Sequence, residues 1–195
     1  MSSARIVLDT SVLLAILKHN CSEKNQLNCF KGQVNSIVSS QKDLRARFTI
    51  DYFKDEVQSR IIKKFQECYK NYADPRWRFL VDLSDRPVDY RKQREGYRKN
   101  EQGNLVERVR RIFGLRKDGS FNEELECDAF LLIYAAMRAR NSERIVLLTA
   151  DSEAYERIKN ALHNLGGEYS YLENIRLLLF CRDKQRGGRV EEGDK

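Results

Sequence analysis

The sequence predicts an α/β fold in which a parallel sheet is covered by helices on both faces. Three observations lead there. Short continuous apolar runs, Ile6-Val7-Leu8 and Ile145-Val146-Leu147-Leu148, have the character of strands buried on both faces. Longer segments with helical spacing of apolar residues separate such runs, the alternation that right-handed crossovers build into a parallel sheet. Ten Gly and two Pro among 195 residues, against nine Phe, nine Tyr and one Trp, give too little turn material for an all-β sandwich and too much apolar surface for a disordered chain. The length suits one domain, residues 1–181, with an insertion at about 84–122 and a charged, disordered tail at 182–195.

The first strand runs from Arg5 to Leu8, and a helix capped by Ser11 follows, with Leu13, Leu14 and Leu17 as its apolar face. A second helix is expected from Phe30 to Leu44. Arg47 to Ile50 reads as a strand, and Asp51 as the cap of a long helix carrying Phe53, Val57, Ile61, Phe65, Cys68 and Tyr72 at helical spacing. Arg78 to Leu83 reads as a third strand. Within the insertion a helix spans about Gly103 to Phe113, with Gly114 and Gly119 at its exit. Asn122 can cap the clearest helix of the chain, where Leu125, Ala129, Leu132, Ile133 and Ala136 keep the period. After the strand at Arg144 to Leu148, a helix from Ser152 to Leu165 ends at Gly166-Gly167. Tyr169 to Leu172 and Ile175 to Phe180 both qualify as the fifth strand, and periodicity does not choose between them.

No window approaches the roughly 18 apolar residues that cross a bilayer, and a strand beginning at Arg5 leaves no room for a signal peptide, so a cytosolic protein without membrane contact is expected. Cys21, Cys29, Cys68, Cys127 and Cys181 form no C-x-x-C pair and read as buried free thiols; only Cys21 and Cys29 are near enough for a local disulfide. The net charge of +7 points to a polyanionic partner, because clustered Lys and Arg displace counterions from phosphates.

Two acids sit just past apolar strands, Asp9 and Asp151, at the sheet edge where open parallel sheets bind ligands. Two more lie early in helices: Glu56, and Asp128 about 60° from Leu125 at 100° per residue, flanking its apolar stripe. Taken singly, Asp9 and Asp151 also suit helix caps, and Glu56 and Asp128 suit surface charges. Together they would repel, by roughly 4 kcal/mol for a pair 4 Å apart at an effective dielectric near 20. Protonation or a hard divalent cation, Mg²⁺ or Mn²⁺, would offset that. Neither His19 nor His163 has an obvious partner, and no G-x-S-x-G or Cys-and-His constellation is present.

The segments "RIVLDTSVLLAIL" (Arg5 to Leu17), "FTIDYFKDEV" with Glu56, "ECDAFLLIYAA" with Asp128 and "RIVLLTADSEAY" with Asp151 resemble the four acidic motifs of the PIN-domain nucleases, in that family's order, over most of residues 4–180. The resemblance implies a three-layer α/β/α sandwich with a central parallel sheet of four or five strands. It implies a metal-dependent endoribonuclease acting on single-stranded or structured RNA, in which water held by Mg²⁺ or Mn²⁺ attacks a phosphodiester in line and leaves a 5′-phosphate and a 3′-hydroxyl. Asp9, Asp128 and Asp151 would hold the metal, Glu56 would complete the acidic pocket and orient the water, and Thr10, Ser11 and Thr149 would support those acids. The family includes toxins of toxin-antitoxin pairs, often homodimers inhibited by a small antitoxin partner; the long basic insertion departs from the compact toxin pattern. No cysteine-rich zinc module of the ribosome-processing members follows.

The insertion crowds Arg91, Lys92, Arg94, Arg98, Lys99, Arg108, Arg110 and Arg111 together with Tyr90 and Tyr97. Guanidinium groups grip phosphates and tyrosine rings stack on unpaired bases, so the stretch is a candidate RNA guide, with a solvated loop as the plain alternative. Two further readings compete with the ribonuclease. One is an RNA-binding or assembly module whose acidic site is inactive or awaits a ribonucleoprotein partner. The other is a structure-specific DNA nuclease.

Overall fold

The computed structural model describes residues 4–18, 32–33, 49–54, 56–72, 87–89, 103–115 and 123–180. Five strands, β1 (Ala4–Leu8), β2 (Thr49–Lys54), β3 (Pro87–Asp89), β4 (Arg144–Thr149) and β5 (Ile175–Leu179), form one sheet in the order β3-β2-β1-β4-β5. Every neighbouring pair is parallel. The helices are α1 (Thr10–Lys18), α2 (Glu56–Tyr72), α3 (Gly103–Ile112), α4 (Glu123–Arg140) and α5 (Ser152–Gly166), and a 3-10 turn over Ser170–Asn174 leads into β5. The chain is therefore of the α/β class with a parallel sheet, and no described helix is long and apolar enough to cross a membrane.

Side chains alternate across a strand, and the core divides accordingly. Ile6, Leu8, Val146 and Leu148 pack with Val12, Leu13 and Ile16 of α1 and Ile62 and Phe65 of α2. Val7, Ile145 and Leu147 pack with Leu105 and Val109 of α3, the apolar stripe of α4, and Ile158, Ala161 and Leu165 of α5. The centre of the sheet is where the strand order reverses. From β1 the chain turns to a helix in the first cluster; from β4 it turns to a helix in the second. Between the carboxyl ends of these two adjacent strands the connections part and leave a crevice.

Helix α3 ends as its glycine predicts. Gly114 takes the left-handed conformation at φ +66°, while the Leu115 N–H donates to the Arg110 carbonyl at 2.8 Å and the Gly114 N–H to that of Arg111 at 3.0 Å.

Several expectations are corrected. Ser11 lies inside the first turn of α1, which starts at Thr10, and Leu14 is exposed while Val12, Leu13 and Ile16 form the buried face. The strand expected to stop at Ile50 continues to Lys54, so Asp51 is a buried strand residue and not a helix cap, and Phe53 belongs to β2. The ambiguous fifth strand is Ile175–Leu179, because Ser170–Asn174 coils into the 3-10 turn. Cys68, buried in α2, is disulfide-bonded to a partner outside the described residues, against the expectation of free thiols; Cys127 carries an exposed thiol on α4. The expected helix at Phe30–Leu44, apart from residues 32–33, lies outside the described residues. So do the strand at Arg78–Leu83, Asn122 and the tail.

Candidate active site

The crevice begins with Asp9, the residue after β1. Its N–H donates to the Leu148 carbonyl at 2.9 Å, adding one rung to the β1–β4 ladder, and its carbonyl accepts from the Val12 N–H at 3.1 Å as α1 starts. The backbone is thus fixed on both sides. Asp9 Oδ2 then accepts two hydroxyls, Ser11 Oγ at 2.5 Å and Thr149 Oγ1 at 2.7 Å, which lie 3.3 Å apart.

Each hydroxyl is itself supplied by a main-chain donor. The Ala150 N–H donates to Ser11 Oγ at 2.9 Å, and the Asp151 N–H donates to Thr149 Oγ1 at 3.1 Å. Two N–H to hydroxyl to carboxylate relays therefore meet on one oxygen, one through α1 and one through the end of β4. Each accepted bond polarises the hydroxyl that donates onward, which strengthens its grip on a negative charge at Asp9. Thr149 is fully buried, so its hydroxyl faces no water that could compete.

Asp151 caps α5: its Oδ1 accepts the Glu153 N–H at 2.8 Å and the Ala154 N–H at 3.3 Å. Asp128, on α4, is buried at 6% exposure, and its Oδ2 accepts both Arg157 Nε at 2.8 Å and Arg157 Nη2 at 2.7 Å. The Asp128 carboxyl is pushed up to about 6, chiefly by burial; Arg157 opposes the rise, and the charges of Asp9 and Asp151 add to it. Asp128 thus lies within electrostatic reach of both Asp9 and Asp151.

In all three acids, the hydrogen bonds from described residues fall on one oxygen: Oδ2 of Asp9, Oδ2 of Asp128 and Oδ1 of Asp151. The second oxygens supply hard donors of the kind that suits Mg²⁺ or Mn²⁺. Among the described residues, no group of three or more His, Cys, Asp or Glu side chains is gathered into a metal-holding cluster. Glu56 opens α2, immediately beyond β2, and its side chain lies outside the described residues. Thr10 is the first residue of α1.

The basic candidates divide. Tyr90, Arg91, Lys92, Arg94, Tyr97, Arg98 and Lys99 lie outside the described residues. Arg108 forms an exposed ion pair with Glu168, just past the end of α5. Asp151 caps the other end of that 15-residue helix, so Arg108 is anchored roughly 20 Å from the crevice. Arg110 and Arg111 line, with Glu107 and Leu115, a shallow cavity of about 210 Å³.

Arg157 was not singled out from the sequence. Its only signal is Glu153 four residues earlier, which reads as an ordinary surface pair and is present as one at 3.3 Å. No protein-family model matches the chain, and no curated protein or solved structure is found similar to it.

Proposed function

We propose that the chain is a divalent-metal-dependent endoribonuclease of the PIN type. The observation that carries this reading is the paired relay onto Asp9 at the β1–β4 crevice, with Asp128 feeling the charges of both Asp9 and Asp151. Helix-borne core residues on both faces of a parallel sheet are what a PIN-like three-layer sandwich requires.

Asp9, Asp128 and Asp151 would hold Mg²⁺ or Mn²⁺ through their second oxygens. Bound there, the cation supplies a lowered pKa for water and neutralises charge at the phosphate. Ser11 and Thr149 hold the Asp9 carboxyl in one orientation through their hydrogen bonds, and the Asp151 cap fixes that carboxylate at the mouth of the crevice. The substrate is a phosphodiester of RNA, and the products carry a 5′-phosphate and a 3′-hydroxyl.

Asp9→Asn removes one charge without removing volume. It is expected to lower Mn²⁺-stimulated cleavage of RNA at least about 10³-fold, or roughly 4 kcal/mol of barrier. Cleavage by that variant at the wild-type rate, from protein free of contaminating nuclease, would overturn the assignment. Matched RNA and DNA strands decide between the two sugar backbones.

A second reading, an RNA-binding or assembly module with an inactive site, is favoured by the guanidinium that occupies Asp128. Millimolar Mn²⁺ separates the two. A metal-binding site raises the melting temperature of wild type more than that of Asp151→Asn, and equal shifts favour the module.

A further inference from the structure

The acids of the crevice raise a difficulty for their own substrate. Asp9, Asp128 and Asp151 carry three negative charges if all are ionised, and a divalent cation offsets two. A phosphodiester would still approach a net negative site, and at 5 Å each uncompensated charge repels it by about 3 kcal/mol at an effective dielectric near 20. A positive group at the mouth is needed, and it must have donors to spare.

Arg157 meets both conditions. It projects from α5 less than two turns beyond the Asp151 cap, and Asp151 adds to the electrostatic attraction it feels. Its guanidinium has five N–H groups. Nε and Nη2 each use one on the same Asp128 oxygen, and Nη1 uses one at 3.3 Å on Glu153, a side chain 83% exposed. One N–H on each Nη is left with no partner among the described residues, and the side chain is 29% exposed. A planar fork with two spare donors, held against the acids on one side and open on the other, has the geometry that recognises phosphate oxygens.

We infer that Arg157 grips a phosphate of the bound strand through its outer Nη donors while its inner edge stays on Asp128, so that it is a substrate-binding residue of the crevice. The inference rests on the proposed nuclease reading, yet it is tested by binding and not by turnover. A fluorescein-labelled oligouridylate is titrated with the Asp9→Asn chain across a salt series, and then with chains that also carry Arg157→Gln or Arg157→Lys. One lost phosphate contact on a single strand lowers the slope of log K against log salt by about 0.7. Arg157→Gln should show that drop with a loss of affinity of about tenfold at low salt, and Arg157→Lys should restore the slope.

An unchanged slope and affinity in folded Arg157→Gln would overturn the inference and leave Arg157 as the counter-ion of Asp128 alone; absence of measurable binding by the Asp9→Asn chain would overturn it too. Should Arg157→Gln fail to fold, the Asp128→Asn, Arg157→Gln pair removes both ends of the ion pair and carries the same comparison. Cleavage by the wild-type chain is scored separately. A silent wild type with an intact slope effect would sink the nuclease reading and not this contact, and an active wild type without the slope effect would do the reverse.

Discussion

Two carboxylates in this molecule are buried to similar depth and both touch an arginine, yet their surroundings differ. Asp51, in β2, accepts Arg5 Nη1 and the Tyr134 hydroxyl, each at 2.6 Å. Arg5 Nε reaches on to Glu143 at 2.6 Å; Arg138 lies 3.8 Å from Glu143, donates to the Tyr134 oxygen at 3.3 Å and sits over the Tyr134 ring. Two arginines meet two acids, and one tyrosine closes the circuit between β1, β2, α4 and the approach to β4. At Asp128 a single arginine is divided between two acids while Asp9 and Asp151 add negative charge nearby. A matched network of this kind secures elements to one another. A surplus of one sign is stable only when something else arrives, and that is the physical mark of a binding site.

The widest separation between the two regions should come from deleting Asp51. Asp51→Ala removes the carboxylate that takes the buried Tyr134 hydroxyl and the Nη1 of the part-buried Arg5, which keeps Glu143, and removing one member of a buried pair costs about 3–5 kcal/mol. Urea unfolding should report that loss, while metal-stimulated cleavage by the chains that remain folded stays at the wild-type rate. An Asp51→Ala chain as stable as wild type would mean that the matched network does not secure the sheet.

The second effect is a dependence on pH that belongs to the crevice. With metal removed by EDTA, folding holds the Asp128 carboxyl at about 6, above its ordinary 3.8. Between those values the unfolded chain has released a proton that the folded chain retains. The stability this group contributes is therefore full below about pH 3.8 and is lost as pH rises through about 6. After a discount for solvent screening the swing is about 2 kcal/mol. Asp128→Asn abolishes it, so the stability of the variant relative to wild type should climb by that amount from pH 4 to pH 7.5. A difference that stays flat across that range would remove the claim that Asp128 is ionised at a cost.

Much of the framework was legible because it depends on local pattern. The apolar runs of β1 and β4 and the period of α4 state their burial in the order of their residues, and Asp9 and Asp151 declare themselves by interrupting what precedes them. The two buried carboxylates differ in this respect. Asp128 flanks an apolar stripe, so its placement follows from helical geometry. Asp51 follows a β-branched residue and precedes an apparent helix, which gives it the sequence signature of a cap. The parallel pairing of β2 with β1 makes it a strand residue, and its side chain meets Arg5, from 46 positions earlier, and Tyr134, from 83 later. Arg157 was hidden for the opposite reason, since its local pairing with Glu153 explains it completely until Asp128 is brought alongside. Long-range pairing of charges leaves no period in a sequence, and both omissions come from that.

The smallest effect tests whether the matched network is held by its charges or by the hydroxyl at its centre. Tyr134→Phe keeps the buried ring and removes the hydroxyl that donates to Asp51 and accepts from Arg138. Asp51 keeps Arg5, so no charge is stranded, and the expected cost is that of one hydrogen bond to an ionised group, about 1.5 kcal/mol. In a double-mutant cycle with Asp51→Ala, that cost should vanish, because the hydroxyl then has no carboxylate to serve. A Tyr134→Phe loss as large as that of Asp51→Ala would show that the hydroxyl, not the Arg5 pair, holds β2 to α4. The network would then depend on one neutral donor and not on matched charges, and the contrast with the crevice would have to rest on burial alone.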